Sequence, residues 1–255
     1  MVRLGQNFLA DPNLLDAIVR DADLTPGDVV LEIGAGEGAL TGRLARAAGR
    51  VIAVEIDRGL AAALAPLEAM PNVDLRWEDA MRLDLGALDP PPTAVVANLP
   101  YSVATPVLVR TIEELPSVAS WTVMVQREIA DRLRAAPGNR TYGSPSVLVQ
   151  LACDVRLLRT VDPAVFSPRP RVESAILGLR RKGTPGADAA TRELVRAAFA
   201  HRRKSLPRSL EHVRPGALAP ARGALAELGL PEDARAESLS PEDFAALSAK
   251  LSSAT

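Results

Sequence analysis

The chain holds little of what usually announces a chemistry. Cys153 is the one cysteine among 255 residues, so no internal disulfide can form. His201 and His212 are the only histidines. So few ligands exclude a zinc site built from cysteine and histidine, and no metal is expected. No apolar run approaches the roughly 18 residues of a membrane-spanning helix, so no membrane partner is expected. The first residues, Met1-Val2-Arg3-Leu4-Gly5-Gln6-Asn7, lack the charged-then-apolar layout of a secretory signal. A reducing, cytoplasmic compartment is the expectation.

What is present suits a folded chain. Hydrophobic residues make up 47% and charged residues 24%, with a formal net charge of −1. That suffices for one core of ordinary size, or a main domain with a small satellite, and argues against disorder. The charge is unevenly spread. Residues 1–100 carry 8 basic and 15 acidic side chains, and the remainder carries 22 and 16. A near-neutral protein can therefore still present a basic face to a polyanion. Arginine outnumbers lysine 27 to 3, which suits bidentate phosphate contacts but also fits codon bias.

Periodicity predicts an α/β chain. Leu14, Leu15, Ile18, Val19 and Ala22 fall at helical spacing after Asp11-Pro12. Short buried-type strands are expected at 28–33, 51–55, 73–77, 94–97 and 120–126, with helices between them. Such alternation implies a parallel sheet covered by helices on both faces. Segments 154–161 and 172–181 read as two antiparallel edge strands joined by the proline-rich stretch 162–171. After a linker at 182–188, helical patterns are expected at 189–203, 219–228 and 241–252, with a short basic piece between. Two domains follow: residues 1–182 and a small all-helical domain at 189–255.

Gly34-x-Gly36-x-Gly38 lies between a strand and a helix, where glycine lets the backbone turn sharply and approach a ligand. Glu55 ends the next strand, 21 residues after Gly34, and a carboxylate there can accept both ribose hydroxyls of a nucleoside. The pair indicates a nucleoside-containing cofactor. Gly34-x-Gly36-x-x-Ala39 also satisfies the dinucleotide fingerprint, so an NAD-dependent oxidoreductase stays open. Three alternating glycines behind Glu32 resemble instead the cofactor loop of S-adenosylmethionine-dependent methyltransferases. Glu78-Asp79-Ala80 follows the third strand, where a carboxylate can accept from an adenine amino group or cap a helix.

Asn98-Leu99-Pro100-Tyr101 ends the fourth strand, on the same carboxyl edge as the glycines. Methylation of an exocyclic amine explains its parts. The adenine amino nitrogen delocalises its lone pair into the ring and is a poor nucleophile. Two acceptors aimed at its N–H groups, the Asn98 side-chain oxygen and the Leu99 carbonyl, localise that pair. Pro100 stiffens the turn, and Tyr101 offers a flat face to a base. An activated sulfonium methyl needs alignment rather than a strong base, so the lack of a nearby histidine fits.

These motifs, with Gly5-Gln6-Asn7-Phe8-Leu9, Glu55-Ile56-Asp57, Gln126-Arg127-Glu128, Phe166-Ser167-Pro168-Arg169-Pro170-Arg171-Val172, Ser174 and Arg202-Arg203-Lys204, run in one order along nearly the whole chain. The set resembles the rRNA adenine N6,N6-dimethyltransferases, in particular the bacterial small-subunit type linked to kasugamycin sensitivity. The resemblance implies a Rossmann-like methyltransferase sheet and a helical RNA-binding domain. It implies S-adenosyl-L-methionine held by Asn7, Leu9, Gly34, Gly36, Glu55, Asp79, Ala80 and Asn98. Tyr101 would stack on a flipped adenine and Phe166 would cover its other face, although Phe166 alone reads as a core aromatic. It implies dimethylation of two adjacent adenines near the 3′ end of small-subunit rRNA in an assembling 30S particle, by a monomer. Tyr101, where the large-subunit enzymes usually carry Phe, and Thr105-Pro106 favour the small-subunit branch.

Arg169, Arg171, Arg202, Arg203, Lys204 and Arg208 are candidate RNA contacts. A large-subunit adenine methyltransferase is the alternative within the class. A non-catalytic assembly factor is a further reading, disfavoured by the intact Asn98 and Tyr101.

Overall fold

A computed structural model of the chain describes residues 7–183 and 186–253. Gly5 and Gln6 of the N-terminal motif, and Thr184 and Pro185 of the linker, lie outside the described residues. Strand β1 (Phe8–Leu9) leads into helix α1 (Pro12–Ala22). Asp11 caps the helix by accepting a hydrogen bond from the Leu14 N–H at 2.9 Å, and Pro12 occupies a first-turn position that needs no donor. Leu15, Ile18 and Ala22 bury the inner face, and Asp23 closes the helix in the left-handed region at φ 52°.

The expected alternation follows: β2 (Val29–Ile33), α2 (Thr41–Ala47), β3 (Arg50–Val54), α3 (Ala61–Glu68), β4 (Val73–Arg76), β5 (Ala94–Asn98), α4 (Ala104–Glu114) and β6 (Ser120–Gln126). These five strands of the large sheet pair in parallel. From β2 the chain winds outward through β3 to β4, then crosses back to β5 and β6. The neighbours β2 and β5 therefore send their following turns in opposite directions, and a crevice opens at their carboxyl ends. Val30 lies opposite Ala94 and Leu31 opposite Val95, which brings the turn after Ile33 beside the turn after Asn98.

Next come α5 (Arg127–Leu133), α6 (Ser144–Ala152), β7 (Cys153–Val161), β8 (Phe166–Ser167) and β9 (Ser174–Arg181). The seven-stranded order is β4-β3-β2-β5-β6-β9-β7, and β9 runs antiparallel to β6. Both strands expected at the sheet edge form, with β7 outermost. The sequence reading did not anticipate the pairing of β1 with β8, which sets Leu9 opposite Phe166 and Phe8 opposite Ser167. Two-residue strands are too short to show a period.

The C-terminal region forms α7 (Ala189–Phe199), α8 (Leu206–Val213), α9 (Leu218–Glu227) and α10 (Pro241–Ser253). The piece between 203 and 219, expected as a short basic connection, contains α8. The domain boundary is also corrected. One unit takes the chain to Ala130 and again Val155–Arg181; the other takes Asp131–Asp154 and everything from Lys182. Residues 131–154, assigned from sequence to the sheet domain, pack instead with the helices. Tyr142 is the cause: its buried hydroxyl donates to the Leu239 carbonyl at 2.9 Å. Its ring meets Phe199 edge-on at 6.1 Å, and Phe199 lies 5.8 Å from Phe244. Contacts across some hundred residues leave no trace in local pattern.

Candidate active site

At the carboxyl ends of β2 and β5 lies a cavity of about 420 Å³, within the usual range for small-ligand pockets. Leu15 of α1 and five chain segments wall it: 7–9, the glycine turn with the end of β2, Val54–Ile56, Glu78–Ala80 and 98–103. Asn7, Leu9, Gly34, Gly36, Glu55, Asp79, Ala80, Asn98, Leu99, Pro100 and Tyr101, all singled out in the sequence, line this one cavity.

Two glycines in the turn are required by geometry. Gly34 has φ 81° and Gly36 has φ 57°. A Cβ on Gly34 would sit 3.3 Å from the Pro100 ring, and one on Gly36 would sit 3.2 Å from the Phe8 ring. Glu55 organises this turn. One carboxylate oxygen accepts from the Gly36 N–H at 2.8 Å; the other accepts from the N–H groups of Ile56 and Asp57 at 3.0 and 2.9 Å. Three donors compensate a side chain only 5% exposed. Oε2, which accepts one bond, keeps a lone pair for a further donor, while Oε1 has both of its lone pairs engaged.

Glu32 is a site residue that the sequence reading passed over, although it named the residue ahead of the glycines. It sits inside β2, 1% exposed, and lines the cavity. Burial pushes its carboxyl up to about 8; the Thr41 hydroxyl draws it down and the Glu55 charge adds to the rise. Its Oε2 makes no hydrogen bond among the described residues. Ile56, 53% exposed on the rim beside Glu55, was also missed and offers an apolar shelf. Arg110, from α4, holds the acidic loop by donating to the carbonyls of Ala80 and Leu83 at 2.9 and 2.6 Å.

The Asn98 Nδ2 donates to the Asn7 carbonyl at 3.4 Å, which leaves Oδ1 as an acceptor. The Leu99 N–H is bound to the Met124 carbonyl at 3.0 Å, and the Leu99 carbonyl accepts no bond among the described residues. The Val103 N–H closes the turn on the Pro100 carbonyl at 3.0 Å. Tyr101 is half-buried, and its hydroxyl lies 2.5 Å from the Ser174 Oγ. Burial raises its phenol, which the Ser174 hydrogen bond opposes in part. Asp79 serves as a turn cap, accepting from the Met81 N–H at 2.9 Å, while it also lines the cavity.

Phe166 is placed differently from the role the resemblance implied. It is buried with Leu9 and Ile176 in the core and does not line the cavity. The aromatic at the glycine turn is Phe8. Of the candidate RNA contacts, Arg169 and Arg171 are exposed, as are Arg203, Lys204 and Arg208. Arg202 is engaged internally: it donates to the carbonyls of Arg140 and Tyr142 at 3.1 and 2.9 Å and lies 3.7 Å from Glu237. Among the described residues no three metal-ligating side chains cluster, and no helix is long and apolar enough to cross a membrane.

An antiparallel strand inserted beside β6 departs from the dinucleotide-binding order of strands. The same architecture occurs in a dimethyladenosine transferase from Plasmodium falciparum, 28% identical with a TM-score of 0.79 over 94% of this chain and 95% of that one. The 23S rRNA methyltransferase ErmE is 29% identical with a TM-score of 0.68, over 96% and 100%. The fold is therefore the Rossmann-like sheet of the S-adenosylmethionine-dependent methyltransferases, with a helical C-terminal region. This sets the NAD reading aside. Residues 2–252 match the family described as ribosomal RNA adenine dimethylase, and the chain belongs to it. "Ribosomal RNA small subunit methyltransferase A" of Rubrobacter xylanophilus is 48% identical over 98% of this chain and 94% of its own. The protein of that name from Kineococcus radiotolerans is 46% identical over 96% and 84%.

The residues present fit that cofactor. The glycine turn crowds any side chain at Gly34 or Gly36, and the Glu55 Oε2 retains an acceptor for a ribose.

Proposed function

We propose that this protein dimethylates the N6 amino groups of two adjacent adenines near the 3′ end of small-subunit (16S) rRNA, within an assembling 30S particle. The observation that carries this reading is the rim at 98–101. There the Asn98 Oδ1, the Leu99 carbonyl and the Tyr101 ring share one edge of the cofactor cavity. The small-subunit assignment draws support from relatives at 46–48% identity that bear that name. Tyr101 and Thr105-Pro106 point the same way.

The cofactor, when bound, supplies a methyl group already activated on a sulfonium. Gly34, Gly36 and Asn7 shape its seat, Glu55 accepts from its ribose, and Ile56 and Asp79 meet its base. The Asn98 and Leu99 oxygens accept from the target amino group and localise its lone pair. Pro100 keeps both acceptors in register. Tyr101 stacks on the extruded adenine. After transfer the nitrogen carries an acidic proton that water can take, so no dedicated base is needed. A second methylation reuses the same acceptors with the one remaining N–H. Phe166 backs the Phe8–Leu9 wall from behind. Arg169, Arg171, Arg203, Lys204 and Arg208 offer charge to the RNA backbone.

Incubation of undermethylated small subunits with labelled cofactor, followed by mapping, tests this. Two neighbouring adenines near the 3′ end should each gain two methyl groups. The Asn98→Ala variant should turn over about a hundredfold more slowly. Methylation confined to large-subunit RNA, or full turnover by that variant, would overturn the proposal.

A further inference from the structure

Ser174 opens β9 and is wholly buried. No step described above uses it. Its Oγ lies 2.5 Å from the hydroxyl of Tyr101, 73 residues earlier in the chain.

We propose that Ser174 is a positioning residue, which through this hydrogen bond sets the angle at which the Tyr101 ring meets the target adenine. The inference rests on the reading of Tyr101 as the stacking face. Tyr101 stands on a turn rather than on a helix or strand, and the Val103–Pro100 hydrogen bond closes that turn. A ring held at its Cα alone can still tilt about two side-chain torsions. Productive stacking requires the plane to be held within about 10–20°. Anchoring the far end of the ring, at the hydroxyl, fixes the first of these torsions, and the preference of a phenol hydrogen bond for the ring plane biases the second.

The anchor itself is stiff. Ser174 pairs with Gln126 across the antiparallel β6–β9 ladder. One residue earlier, the Glu173 carbonyl accepts from the Arg127 N–H at 3.0 Å. Tyr101 is the partner that the structure gives the buried serine hydroxyl, and without it that hydroxyl would lose its hydrogen bond. Because burial raises the Tyr101 phenol, it keeps its proton through the neutral range and the bond persists there.

A double-mutant cycle with Ser174→Ala and Tyr101→Phe tests this on undermethylated small subunits. Each single variant deletes the same bond and leaves the ring. Each should lower kcat about tenfold while affinity for S-adenosylhomocysteine stays at the parent value. The double variant should be no slower than either single one. Ser174→Thr, which keeps a hydroxyl, should recover most of the rate. A parent kcat for Ser174→Ala, or losses that multiply in the double variant, would overturn the proposal. If Ser174→Ala does not fold, Tyr101→Phe reads the bond from the ring end, and an unchanged kcat there is equally fatal. Tyr101→Ala separates the two readings. Full turnover by that variant defeats stacking itself. An inactive Tyr101→Ala beside an unimpaired Ser174→Ala defeats only the role of Ser174.

Discussion

Glu32 is an acid in the middle of a buried parallel strand, and its neighbourhood decides its state. Its ordinary value is 4.5, and burial lifts it to about 8 in the folded protein. The native state therefore holds this proton more tightly than the unfolded chain does. Stability from this group is complete below about pH 4.5 and is lost as pH rises through about 8. Glu32→Gln removes the titration. Between pH 6 and pH 9, without cofactor, the Tm of the parent should fall further than that of the variant. Equal falls in the two proteins would contradict the assignment. The motif of glycines behind Glu32 was legible in the sequence. The orphaned Oε2 was not, because it follows from which strands enclose β2. Asn98 and Tyr101 were legible as chemistry, since their residue types suit an exocyclic amine. The Tyr101–Ser174 bond was not, because it joins the end of one strand to the start of another.

Among the elements, the short pair β1–β8 departs most from expectation. It draws Phe166 into the core behind Leu9 and puts Phe8 against the glycine turn. A packing role and a base-covering role predict different variants. As a packing residue, Phe166→Ala should cost about 3–5 kcal/mol of stability, read by chemical unfolding. Phe166→Leu should cost roughly 1 kcal/mol and keep kcat within about threefold. A hundredfold loss of kcat by Phe166→Leu at unchanged stability would show that the ring touches the base. The longer elements were readable because each carries its own signal. The helix α1 shows cap, first-turn proline and apolar stripe, and the parallel strands show continuous apolar runs. Elements such as α6 and α8 were missed because they span only nine and eight residues, too few for a helical period to stand out from a short apolar run.

At the scale of the molecule, the chain crosses between its two units more than once. In the helical unit Arg202, Arg203, Lys204 and Arg208 are all exposed, on the turn after α7 and on α8, and the last three lie apart from the carbonyl contacts that Arg202 makes. Replacing these three with alanine should weaken rRNA binding and flatten the log–log salt dependence by about 2 units, since each phosphate contact contributes roughly 0.7–0.9. Cofactor affinity should not change. An unaltered slope in filter binding would remove the cluster from the interface. Arg202 belongs to a separate test of stability, because its guanidinium holds two carbonyls of the turn before α6.

The amino-acid order alone determined the α/β alternation, the glycine turn with its distant carboxylate, and which residue types end the fourth strand at 98–101. Those features are local: a period, a turn or a residue type expresses each within a few positions. Tertiary structure decided which side chains are buried acids, which aromatic faces the cavity, which arginine is already engaged, and where the chain divides. These depend on contacts between distant segments, and a one-dimensional pattern cannot display a neighbour that only folding supplies.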